Sequence, residues 1–184
     1  MGFENSSKGS TRTEVNTGVG GSKDVLTFDQ DNRITRAPYE LAVDTQNYSI
    51  TLKDKKTGQI STLRLTRVGD KEIKNIQKPA AISEGKIQWS DVDTDLDLAI
   101  TADNTRVSFD WIVKSDNAPH EVQFDFQDGG IPVVFKGQDA QNKSVDINIQ
   151  KNGNSVVESI EKGGQYPKTI NPDFQIAAGL GCEW

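Results

Sequence analysis

In segment after segment of this chain, apolar residues recur at every second position. Nowhere do they recur at three- and four-residue spacing behind a helix cap. Period two is the geometry of a strand with one buried face, so the pattern predicts an all-β fold. Tyr48, Ile50 and Leu52 alternate with Ser49, Thr51 and Lys53. Asp54 to Gly58 then reads as a turn, and Ile60 to Arg67 returns as a second strand. Together these predict a hairpin, with Gly58 supplying a positive φ. Val25 to Phe28 is a shorter candidate, ended by Asp29-Gln30-Asp31-Asn32.

The strongest alternation lies further on. Ile87 and Trp89 share a phase, as do Leu96, Leu98 and Ile100, then Val107, Phe109, Trp111 and Val113, then Val122, Phe124 and Phe126. The last three of these runs predict an antiparallel meander. Ile131 to Phe135 is a further strand. Val145, Ile147 and Ile149 predict another, turning at Asn152-Gly153 to pair with Val156 to Ile160. Many short strands at such intervals predict an antiparallel sandwich or jelly-roll-like domain over residues 24–166.

The flanks differ in composition. Residues 1–23 are rich in Ser, Thr and Gly and read as a flexible N-terminal arm that orders only on contact with a partner. Residues 167–184 read as a C-terminal exit strand or linker. Only 34% of the 184 residues are hydrophobic, and much of the shortfall lies in the arm, the turns and a row of aspartates. No apolar run approaches the ~18 residues that span a bilayer, and no signal-peptide core follows Met1. A net charge of −6 argues against nucleic acid as a partner. A single Cys, Cys182, and a single His, His120, leave no internal disulfide framework and no Cys- or His-rich metal cluster.

Several residues invite chemistry. Asp91, Asp93, Asp95 and Asp97 fall at period two, which places them on one face of a strand about 7 Å apart. At that spacing each adjacent pair repels by only about 0.6 kcal/mol in water, so a solvated face tolerates the row. Hard carboxylate oxygens suit calcium. The calcium-loop pattern fails, however, with Leu96 where Gly is needed and Ala102 where Glu is needed. A glycosidase pair drawn from this row, Glu84, Asp110 and Asp125 requires two carboxyls across a cleft, and nothing in the pattern singles out two. His120 and Cys182 form a conceivable nucleophilic pair, but Cys182 sits in a Gly-flanked tail. Gly18 to Lys23 lacks the order of a phosphate loop. Trp89, Trp111, Phe109, Phe124, Phe126 and Phe135 share the phase of Leu, Ile and Val, which predicts core packing rather than a sugar-binding platform. No catalytic, cofactor or metal residue is assigned.

Two stretches carry a resemblance. One runs Ile87-Gln-Trp-Ser-Asp-Val-Asp-Thr-Asp-Leu-Asp-Leu, through Asn104-Thr-Arg-Val-Ser-Phe-Asp-Trp-Ile-Val-Lys-Ser, to Ala118-Pro-His-Glu-Val-Gln-Phe-Asp-Phe. The other is Tyr166-Pro-Lys-Thr-Ile-Asn-Pro-Asp-Phe-Gln-Ile. Together they resemble a β-module of tailed-phage virion structural proteins and large bacterial surface proteins. Arg106-Val107-Ser108 departs from the Gly-Val-Lys common there, and Asn171 from the usual Asp. The resemblance implies no catalytic residues. It implies a non-enzymatic phage structural protein, made in the host cytoplasm without a signal. Such a protein decorates, cements or connects a capsid through arm and edge contacts, with capsid or other virion proteins as partners in a symmetric assembly. The alternative it leaves open is a secreted or cell-surface carbohydrate-binding adhesion module.

Overall fold

A computed structural model describes residues 26–176. It is an all-β sandwich of two antiparallel sheets. The strands, in chain order, are β1 Arg33–Ile34, β2 Tyr39–Asp44, β3 Ser49–Asp54, β4 Ile60–Val68, β5 Lys71–Glu72, β6 Ala81–Ser83 and β7 Lys86–Asp93. They continue with β8 Leu96–Asp103, β9 Arg106–Val113, β10 Glu121–Gln127, β11 Val133–Gln138, β12 Asn148–Asn152, β13 Ser155–Ser159 and β14 Lys168–Gln175. One sheet runs β1-β2-β3-β4-β10-β13-β12, with β5 on β4; the other runs β11-β14-β9-β8-β7-β6.

The predicted hairpin forms as β3 and β4, with Gly58 at φ 78°. β12 and β13 pair around Gly153, which takes φ 61°. Four expectations change. The run Val122–Phe126 does not continue the meander of β8 and β9. As β10 it crosses to the other sheet, between β4 and β13. The exit segment, expected as a strand or a linker, is the strand β14, but it lies between β11 and β9, so the sandwich extends past residue 166. Ile170 and Phe174 are buried there, so the core needs this strand. The Val145–Ile149 strand starts only at Asn148. Before it, the Val145 amide bonds Gly137 O. Leu26 and Phe28 are buried but form no strand. The arm of residues 1–23 lies outside the described residues.

The two inner faces bury one continuous apolar core. A file of rings crosses it: Tyr48 lies 5.0 Å from Trp89, Trp89 6.3 Å from Phe109, and Phe109 5.4 Å from Phe124, centroid to centroid. Trp89 and Phe109 belong to one sheet and Phe124 to the other, so the file ties the sheets together. Burial of such side chains stabilises by roughly 1.5–3 kcal/mol each. The six aromatics named from the sequence pack as expected; Phe135 alone is half-buried at the rim, with Lys151 Nζ 5.5 Å over its ring. Among the described residues no helix is long and apolar enough to cross a membrane.

Strand register gives the sandwich two unlike ends. At one, the β7–β8 turn meets the loop after β9, and the turn after β4 meets the start of β10. Lys114 N donates to Asp95 O, and Gly69 N to Glu121 O. The β13–β14 loop closes over the same end. At the other end lie the β6–β7 and β8–β9 turns. There Ala102 N bonds Gly85 O, and Ile176 N bonds Thr105 O. A Cβ on Gly85 would lie 3.7 Å from Leu26 O, so the first and last described residues emerge at this same end.

Candidate functional site

The end where the β7–β8 turn meets the loop after β9 collects the Asp row and His120, two of the features that the sequence marked for chemistry. The Asp row is not one face of one strand. Asp91 and Asp93 close β7, Asp95 sits in the turn, and Asp97 begins β8. The alternation hides this turn because Asp91 and Asp95 take positive φ, 51° and 49°, without a glycine. Between the Trp89–Leu98 and Asp93–Leu96 pairs, residues 90–92 oppose Asp97 alone, and the resulting bulge turns Asp91 back across the hairpin.

Each carboxylate of the row then has a partner. Lys114 Nζ lies 3.0 Å from Asp91 Oδ1 and 3.0 Å from Asp97 Oδ1. Hydrogen bonds to Asp91, then to Asp97, hold the lysine pKa above its ordinary value. Asp97 Oδ1 also accepts the Asp91 amide at 2.8 Å, and its Oδ2 the Gln88 amide at 3.3 Å. Ser115 Oγ donates to Asp95 Oδ2 at 2.6 Å, and Lys71 Nζ lies 3.6 Å from Asp93 Oδ2. Among the described residues no three His, Cys, Asp or Glu side chains are arranged to hold a metal ion. Because ammonium groups already sit on three of these four carboxylates, calcium would have to displace them. Millimolar calcium should therefore leave the melting temperature of the full chain unchanged; a rise that grows with calcium concentration would contradict this arrangement.

Two shallow grooves of about 830 and 750 Å³ flank the turn on either side of Lys71. The first reaches Ala118 and Pro119, the second Gln77 and Lys78. Both are open and polar, the first lined by Asp70, Glu72 and Lys74 and the second by Asp91, Asp95 and Lys78, with Lys71, Asp93 and Thr94 common to both.

His120 has no thiol partner among the described residues, since Cys182 lies outside them. It joins a different cluster instead. Its Nδ1 is 2.7 Å from Ala118 O, and its Nε2 is 3.0 Å from Tyr166 Oη. The same phenol donates to Asp116 Oδ1, and the Gly163 amide donates to both Asp116, at 2.9 Å, and Tyr166, at 3.0 Å. Lys168, almost fully buried, lays Nζ 4.7 Å over the Tyr166 ring and donates to Glu161 O at 3.2 Å and to Gly163 O. This cluster fastens the β9–β10 loop to the β13–β14 loop. The Tyr166 hydroxyl, then the Gly163 amide, holds Asp116 below the usual carboxylate range. A depressed carboxyl contributes stability above its ordinary pKa and loses it as pH falls through the lowered one. Tyr166→Phe should move the Asp116 titration, followed by carboxyl carbon NMR, up toward the ordinary aspartate range. An unmoved titration would deny the phenol this role.

The carboxyls weighed for a glycosidase pair do not share a cleft. Asp110, on β9, accepts from Thr101 Oγ1 at 3.0 Å on the outer face of one sheet. Asp125, on β10, lies 3.4 Å from Arg64 on the outer face of the other. Glu84 is in the β6–β7 turn, at the far end from the Asp row.

Four buried charged positions escaped the sequence reading: Asp54, taken only as the start of a turn, and Glu158, Lys168 and Asp173. Val156, Glu158 and Ile160 share one phase, so a carboxyl in an apolar file was there to be seen. Asp173 is pushed upward by desolvation despite Arg106 at 3.6 Å and Lys136 at 3.4 Å.

No family model, curated protein or solved structure matches the chain.

Proposed function

We propose that this chain is a non-enzymatic structural protein of a phage virion, which decorates, cements or connects the capsid through its terminal segments and open sheet edges. The observation that carries this reading is the concentration of sticky features at one end. Leu26 and Ile176, from which the flanking segments continue, emerge there. The exposed large apolar side chains among the described residues belong to the same end: Ile60 opens β4, Val134 is the second residue of β11, and Ile82 pairs with the second residue of β7. The opposite end is polar, and there Lys114 pairs with Asp91 and Asp97, and Lys71 with Asp93.

Edges supply the means of attachment. β11 and β12 each end a sheet; β12 leaves one side without a strand partner, and β11 does so before the Val145 N–Gly137 O bond and the Gln138–Ser144 bridge close its far end. Such an edge accepts an extended peptide through main-chain hydrogen bonds. The N-terminal segment has a sequence suited to that role, with Thr11, Thr13, Val15, Thr17 and Val19 placing β-branched side chains at every second position. Repetition on a symmetric shell would multiply weak single contacts into firm attachment. The adhesion alternative finds no support in the aromatics, since Trp89, Trp111, Phe109 and Phe124 are buried in the core.

Mass spectrometry of purified phage particles, combined with light proteolysis, tests the reading. The chain should be present in particles, with cleavage inside residues 1–25 slowed there relative to the isolated protein. Absence from particles, or equal cleavage in both states, would overturn it.

A further inference from the structure

Among the described residues Glu158 is the carboxyl with the least contact to water, at 0% exposure, and it lies on the inner face of β13. Its Oε1 accepts a 3.0 Å hydrogen bond from Trp111 Nε1, on β9 of the opposite sheet. Its Oε2 is buried without a hydrogen-bond partner. On the adjoining strands the residues in register are Val122 of β10 and Ile149 of β12, both apolar. None of the ion pairs among the described residues includes Glu158, and the facing sheet brings it an indole, not a cation.

An ionised carboxylate in such a place has lost its hydration and gained one neutral donor. A neutral carboxylic acid avoids most of that loss. We infer that Glu158 is a proton-operated latch between the two sheets: protonated, it closes the seam between β13 and β9; ionised, it weakens that seam. This is independent of the virion reading and would hold for the sandwich in any setting.

The direction of the pH response follows. Burial pushes the Glu158 carboxyl up to about 7, against an ordinary value of 4.5, and the Trp111 bond only partly offsets this. An acid with a raised folded-state pKa binds its proton more tightly in the native chain than in the unfolded one. Its contribution is therefore complete below about pH 4.5 and is lost as pH rises to about 7. Asp110 and Asp173 are also raised by desolvation, so the slope in the native protein is a sum, and the share of Glu158 is what its replacement removes.

The test uses the full chain labelled at the glutamate side-chain carboxyl carbon. One glutamate signal should titrate near neutrality, and it should be the one missing in Glu158→Gln. Denaturant unfolding read at about pH 5 and about pH 8 should show the unfolding constant of the native chain rising between the two. That rise should shrink on the order of a hundredfold in Glu158→Gln. If Glu158→Gln does not fold, the titration of the native chain still decides. A set of glutamates that all titrate in the ordinary carboxylate range would overturn the latch, as would a pH response unchanged by the substitution.

Discussion

Gly129→Ala should destabilise the sandwich by about 3–5 kcal/mol, which lowers the melting temperature of a domain this size by roughly 10 °C. Gly129 lies in the crossing from β10 to β11. A Cβ there would lie 1.7 Å from Ile60 O and 2.5 Å from its carbonyl carbon. No rotamer relieves a clash of backbone with Cβ, so the start of β4 or the crossing itself must shift. The shift also breaks the 2.9 Å hydrogen bond from the Gly129 amide to Ser61 Oγ, and Ser61 is buried. Gly153→Ala is the control. Gly153 has a positive φ of 61° with nothing within 4 Å of an added Cβ. It should cost only the left-handed backbone penalty of about 1–2 kcal/mol. Thermal melts of the two variants check the contrast; equal effects would mean the approach of Gly129 to Ile60 is not as close as described.

Trp89→Ala should cost about 3–5 kcal/mol, the range for emptying a large aromatic site in a packed core. Trp89 is fully buried, stands between Tyr48 and Phe109 in the ring file, and donates Nε1 to Thr45 O at 3.3 Å. Its loss removes the link between the β2–β3 turn and the second sheet as well as the apolar area. Phe135→Ala, at the half-buried rim beside Lys151, should cost about 1 kcal/mol, since its surroundings can collapse onto the vacated space. Denaturant midpoints of both variants measure the difference, and comparable losses would argue that the file does not join the sheets.

The β3–β4 hairpin and the apolar phases of β7 to β10 were legible because a half-buried strand writes its burial into alternate positions. Three features were not, each for a physical reason. The β7–β8 turn left no glycine or proline, because two aspartates adopt positive φ and the bulge keeps the alternation running through it. β14 carries Pro172, which argues against an interior strand because proline cannot donate to a ladder. The structure accommodates it where the pairing of β14 to β9 lapses, between Ile170 and Asp173, while pairing to β11 continues through Pro172. Sheet membership of β10 was hidden because alternation reports that a face is buried, not which sheet buries it.

The site was less legible than the fold. The partners of the Asp row, Lys71 and Lys114, are far from their carboxylates in sequence, and so is the phenol that joins His120 to Asp116. Glu158 did leave a signal, a carboxyl in apolar phase between Val156 and Ile160, but strand alternation alone did not single it out.

On the proposed virion role, one end of this sandwich attaches and the other faces outward. Cryo-electron microscopy of the phage particle, at a resolution that traces the sheets, measures this directly. Contacts to the shell are expected at the end where Leu26 and Ile176 emerge beside Ile60, Ile82 and Val134, with a strand from the N-terminal segment added to a neighbouring edge. Attachment through the Asp91–Asp97 hairpin and the His120 loop, or no density for this chain on the particle, would contradict it.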